Sequence, residues 1–158
     1  MVINDNPTSS RSYLQISRSV LTSNSEKAAK TFPGLVVFRF NGPLTFFNAD
    51  YFKQRALAAA DAAGADLRWF IIDAIPMSDI DVNGLYALRD LNTVLEARST
   101  TLIFAGRRTE FLTWLRDIGL YDAELDKRLF PTLSQALKAY RRTTAGSGLG
   151  PSDPGGSR

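Results

Sequence analysis

Apolar residues recur along the chain with two periods, and segments of the two kinds alternate. LVVFRF at 35–40 is β-branched and aromatic and reads as a strand. NGP at 41–43 breaks it, and LTFF at 44–47 reads as a second short strand joined by a hairpin-like turn. Asn48 stands where it can cap a helix over ADYFKQRALAAADAAG. Phe52, Ala56, Ala59 and Ala60 share one face of that helix, and Gly64 suits its left-handed end. LRWFIID at 67–73 is almost continuously apolar, as in a central strand covered on both faces. From about Val82 a further helix carries Leu85, Leu88, Leu91 and Leu95 at spacings of three and four.

The alternation continues to the end of the apolar pattern. TLIFAG at 101–106 reads as a buried strand. Thr109 is placed to cap EFLTWLRDIG, with Phe111, Leu112, Leu115 and Ile118 on the apolar face and Gly119 at the end. RLF at 128–130 reads as a short edge strand. TLSQALKAYRR closes the unit: Thr132 and Gln135 fit a capping box, and Leu133, Ala136, Leu137 and Tyr140 face inward. The order is that of an α/β fold, with a mixed, mostly parallel sheet of four to five strands and about four helices.

The flanks differ from this pattern. Residues 1–31 are rich in Ser, Asn and Thr and read as a polar leader or linker, with a short strand at SYLQIS. Residues 143–158 are rich in Gly, Ser and Pro and read as a flexible tail that buries too little apolar surface to offset its ordering entropy. A single domain at 32–142 lies between them.

Composition removes several chemistries. The 158 residues include no cysteine and no histidine, which excludes disulfides, thiolate nucleophiles, zinc sites built from Cys or His, and histidine acid–base catalysis. The net charge of +3 comes without a dense Lys/Arg block, so a solvated surface is favoured over nucleic-acid binding. No run of 18 apolar residues is present and the N-terminus lacks an apolar signal region, so neither a membrane span nor a secretory signal is expected here.

The stretch DAIPMSDIDVNGLYALRDL, 73–91, concentrates the polar chemistry at the place where ligands gather in such sheets, between a strand end and a helix start. It holds Asp73, Asp79, Asp81 and Asn83. Asp81 is the natural N-cap of the following helix, and Gly84 allows a partner or a neighbouring backbone to come close. The aspartates are spread through a loop with no histidine or cysteine to assist them. Neither G-x-x-x-x-G-K-[ST] nor G-x-G-x-x-G is present. An enzyme is therefore not expected. A recognition surface is, since a helix start responds strongly to a bound or added phosphoryl group.

The order of elements together with WFIIDAIPMSDIDVNGLYAL resembles the STAS domain, named for sulfate transporters and anti-sigma factor antagonists. In bacterial regulators of that family the matching turn reads Asp-Ser-Ser-Gly, and its second serine is phosphorylated. Here the turn reads Asp81-Val82-Asn83-Gly84, so Asn83, which has no hydroxyl, stands at the phosphoacceptor position. Asn keeps the turn and loses the switch. PGLVVFRFNGPLTFFNADYFKQRA at 33–56 is similar to the opening of the STAS domain at the C-terminus of SulP-type anion transporters, and FPTLSQALKAY to its closing strand and helix. Phe46, Phe47 and Phe52 are expected in either case to pack in the core at the strand–helix junction.

The resemblance implies a cytoplasmic domain at the inner face of the plasma membrane, attached to a transporter for sulfate or a related anion. It would act in regulation, assembly or docking on the membrane part or another cytoplasmic protein. Asp79, Asp81, Val82, Asn83, Gly84 and Tyr86 would form the contact surface. No cofactor, metal or nucleic acid is implied; weak nucleotide or anion binding near Asp81 is opposed by the three aspartates. The alternatives are a free-standing anti-sigma-antagonist-like module, against which Asn83 argues, and a small α/β enzyme.

Overall fold

The computed structural model describes residues 2–5, 32–117 and 123–146. Five strands form one sheet: β1 (Val2–Asp5), β2 (Leu35–Phe40), β3 (Trp69–Asp73), β4 (Thr101–Ala105) and β5 (Leu129–Phe130). Their spatial order equals their chain order, and each pairing is parallel. The helices are α1 (Ala49–Ala63), α2 (Val82–Ala97), α3 (Arg108–Asp117), the single turn α4 (Ala123–Asp126) and α5 (Leu133–Gly146).

Successive strand residues point to opposite faces, and this splits the core in two. Val36, Phe38 and Phe40 of β2, Phe70 and Ile72 of β3, and Leu102 and Phe104 of β4 face α1, α2 and α3. Leu35, Val37, Ile71, Ile103 and Ala105 face the other way, under Ala136 and Tyr140 of α5. Phe52 of α1 sets its ring edge-on to Phe38 and Phe40, with centroids 5.7 and 5.2 Å away. The leucine stripe of α2 is buried throughout, as its spacing predicts.

The structure departs from the sequence pattern at several points. LTFF is not a second strand of a hairpin. Leu44 makes one isolated parallel bridge to Ile80, and residues 46–48 form a turn into α1. The preceding Pro43 has no N–H to offer a ladder, and Leu44 pairs instead with the loop before α2. Asn48 does stand at the N-cap of α1, but its side chain makes no cap bond. It turns back, accepting from the Thr45 N–H at 2.9 Å and donating to the Pro43 carbonyl at 2.8 Å. Gly64 ends α1 with φ 81°, in the positive-φ region that favours glycine, as its position predicts, although its ψ of −173° is not that of a left-handed helical residue. Thr109 lies inside α3 and is not its cap. The carbonyl of Arg107 already accepts from the Phe111 N–H, 3.0 Å, so the helix begins two residues earlier than the sequence implies.

Other expectations are met in part or fall elsewhere. Thr132 accepts from the Gln135 N–H at 3.2 Å, one half of the capping box, and α5 then runs four residues past Arg142. β1 pairs with β2 inside the stretch that reads as a leader, an element the sequence pattern did not signal. The SYLQIS segment, Ile118, Gly119 and the tail after 146 lie outside the described residues.

Candidate functional site

The parallel sheet brings the ends of β2 and β3 and the starts of α1 and α2 to one edge. Two loops meet there, 41–48 and 74–81, and backbone bonds tie them together. The Leu44 N–H donates to the Asp79 carbonyl at 2.9 Å, and the Asp81 N–H donates to the Leu44 carbonyl at 3.1 Å.

Asp81 is the N-cap of α2, as its position predicts. One carboxylate oxygen accepts from the Gly84 N–H at 2.8 Å; the other accepts from the Phe46 N–H, also at 2.8 Å, across the two loops. Partial burial pushes its pKa up. The N–H groups of Gly84, Phe46 and Asn83 and the Asn83 side chain together outweigh this and hold it below the ordinary value. Asn83 therefore stands beside the cap as an exposed polar residue of the first turn.

Gly84 is buried against a neighbouring backbone. A Cβ there would lie 2.4 Å from the Leu44 carbonyl oxygen, so this position needs a glycine for the two loops to touch. Asp79 is exposed, and its carboxylate accepts from the Ile80 N–H at 2.9 Å. Asp73 does not join the other aspartates. It is buried at the end of β3, where Arg39 donates from Nε at 2.9 Å and from a second guanidinium nitrogen, and its other oxygen accepts from the Ile75 N–H. Arg39 and Asp73 are register partners on adjacent strands, a pairing that two polar positions in apolar runs could have signalled. Among the described residues, no three carboxylates converge as a metal site would require.

What the sequence pattern missed at this edge is apolar. Phe46 and Phe47 are not core residues: they are 69% and 92% exposed, their rings edge-to-face with centroids 5.6 Å apart. Ile75, after β3, is also exposed, and so are Val82 and Tyr86 at the start of α2, two residues that the resemblance already assigns to the contact surface. Arg89 lies over the Tyr86 ring, 4.8 Å from its centroid. The available signal was the placement of Phe46-Phe47 between Pro43 and Asn48, two turn residues that take the segment out of the sheet. Phe52, the third of these phenylalanines, is fully buried as expected.

Against known proteins, the STAS domain family model matches residues 26–136, well over half of the chain. The chain belongs to the STAS domain family. This STAS domain is 36% identical over 114 residues to a probable sulfate transporter of Mycobacterium tuberculosis, covering 72% of this chain and 20% of that protein. A sulfate transporter family protein of known structure from Wolinella succinogenes superimposes with a TM-score of 0.61 at 27% identity, over 75% of this chain and 93% of the other. The structure of the STAS domain of a SulP transporter from Vibrio cholerae shares the fold, with a TM-score of 0.59 at 16% identity over 75% of this chain and 90% of that one. The STAS domain described here is thus homologous to those of sulfate transporters, and it spans about a fifth of the length of the curated relatives it matches. No helix among its described residues is long and apolar enough to cross a membrane.

Proposed function

We propose that this chain is the cytoplasmic STAS domain of a SulP-type transporter of sulfate or a related anion, and that it regulates or assembles the membrane part by docking on it. The observation that supports this most directly is that Phe46 and Phe47, in the turn tied to Asp81, and Val82 and Tyr86, in the helix that Asp81 caps, are large apolar side chains left exposed. Soluble surfaces seldom leave several large apolar side chains together unless something covers them. The capping and loop-tying bonds engage both carboxylate oxygens of Asp81 in holding those two segments together. At the position of the family phosphoacceptor, Asn83 offers no hydroxyl, so docking here is constitutive with respect to phosphorylation at that residue.

Deleting the coding sequence for residues 32–146 from the host gene tests the reading. Uptake of radiolabelled sulfate or a competing anion is expected to fall, and Phe47→Ser in the intact gene is expected to reproduce part of the loss. Uptake unchanged by the deletion, for every anion tried, overturns the proposal.

A further inference from the structure

We infer that the segment seated on this edge is basic and amphipathic: its apolar side chains cover Phe46, Phe47 and Val82, and its Lys or Arg side chains face Asp50 and Asp79. The inference rests on the transporter reading above and names the chemistry of the partner at the same site. The chain carries a net charge of +3, yet the uncommitted charge beside the phenylalanine pair is negative. Asp50, in the first turn of α1, and Asp79, in the loop before α2, are exposed and have no ion pair among the described residues. The cations nearby are already engaged. Lys53 reaches Asp90 at 3.5 Å, Arg89 lies over Tyr86, and Arg107 faces Glu110 at 3.6 Å.

Helix physics accounts for some of these acids and not for all. Asp50 and Asp81 sit at helix starts, where the dipole favours negative charge. Asp79 belongs to neither helix. Its carboxylate projects from a loop whose backbone is fixed to Leu44, beside the turn that displays the phenylalanines. An apolar centre with an acidic rim complements an apolar segment flanked by cations. The cytoplasmic loops of membrane proteins have that composition, since they carry an excess of Lys and Arg. An anionic lipid surface meets the same acids with repulsion. A symmetric contact with a second copy places Asp50 and Asp79 of one against those of the other.

The test uses the full 158-residue chain and two synthetic amphipathic peptides, one of leucine and lysine, the other with glutamate in place of lysine. Fluorescence anisotropy is expected to show binding of the lysine peptide alone, weakening as salt rises. Amide shifts should cluster at 44–50 and 75–86. Phe47→Ser should weaken binding about tenfold, as for a central apolar contact. Asp50→Asn combined with Asp79→Asn should weaken it by a similar factor and flatten the salt dependence. Each is an exposed substitution, and unchanged thermal melting confirms that the fold is intact. Equal binding of both peptides, binding of neither, or shifts elsewhere on the domain overturns the inference. So does Phe47-dependent dimerisation by sedimentation, or Phe47-dependent capture by phosphatidylcholine–phosphatidylglycerol vesicles. If uptake falls on deletion of the domain while no peptide binds, the partner chemistry fails and the transporter reading stands. Peptide binding with uptake unchanged overturns the transporter reading.

Discussion

Asp81 serves two elements at once, since its oxygens accept from Gly84 in α2 and from Phe46 in the turn before α1. Asp81→Ala is expected to cost about 1–2 kcal/mol, at the upper end for a lost cap because a second N–H loses its partner as well. Asp81→Asn should cost less, because an amide oxygen still caps. The two also differ in pH response. The folded pKa lies below the unfolded value of 3.8, so the native state holds its proton less tightly. The stabilisation is complete above the unfolded value and is lost as the pH falls through the folded one. Urea melts at stepped acidic pH should show a decline in the natural chain to which Asp81→Asn contributes nothing, so the two curves converge as the carboxylate protonates. Parallel curves through that range would show that the carboxylate is not the titrating group. This residue was legible in the sequence as a cap, because a capping aspartate is a local feature. Its bond to Phe46 was not, since it depends on how two loops 35 residues apart come together.

Helix α2 shows the same division at the level of an element. Its buried stripe follows from the leucine spacing, and its start from Asp81, both within a few residues of each other in the chain. Leu91→Ala is expected to destabilise the domain by about 2–5 kcal/mol, because that side chain is fully enclosed between the sheet and α1. Tyr86→Ser, on the exposed side of the same helix, should change stability by no more than about 0.5 kcal/mol. Chemical denaturation of the two variants checks the contrast, and a large loss for Tyr86→Ser would mean that its ring packs within the domain. LTFF shows where local reading stops. Its aromatic and β-branched composition is that of a strand, but strand formation needs a partner edge. The neighbours of β2 are β1 and β3, so both of its edges are taken and the segment becomes a turn.

At the scale of the molecule, the sheet keeps its strands in chain order, and β1 closes one side of it. Composition gave no warning of that strand, since Val2–Asp5 has only two apolar residues and its pairing spans the whole of the stretch up to Leu35. Removing residues 1–5 should leave the outer edge of β2 open. Hydrogen exchange is expected to speed up at the β2 amides that point toward β1 and to stay slow in β3 and β4, which are paired on both sides. Uniform acceleration across all strands would instead make β1 part of the cooperative core.

The contact of Gly84 with Leu44, with the bonds that join Leu44 to Asp79 and Asp81, locks the two apolar loops into one unit before any partner arrives. Much of the conformational freedom that association would otherwise have to remove is already gone on this side. A change at Gly84, remote from solvent, would then act mainly by letting the surface wander, and its signature would be a loss of affinity carried by entropy while every contacting side chain remained in place.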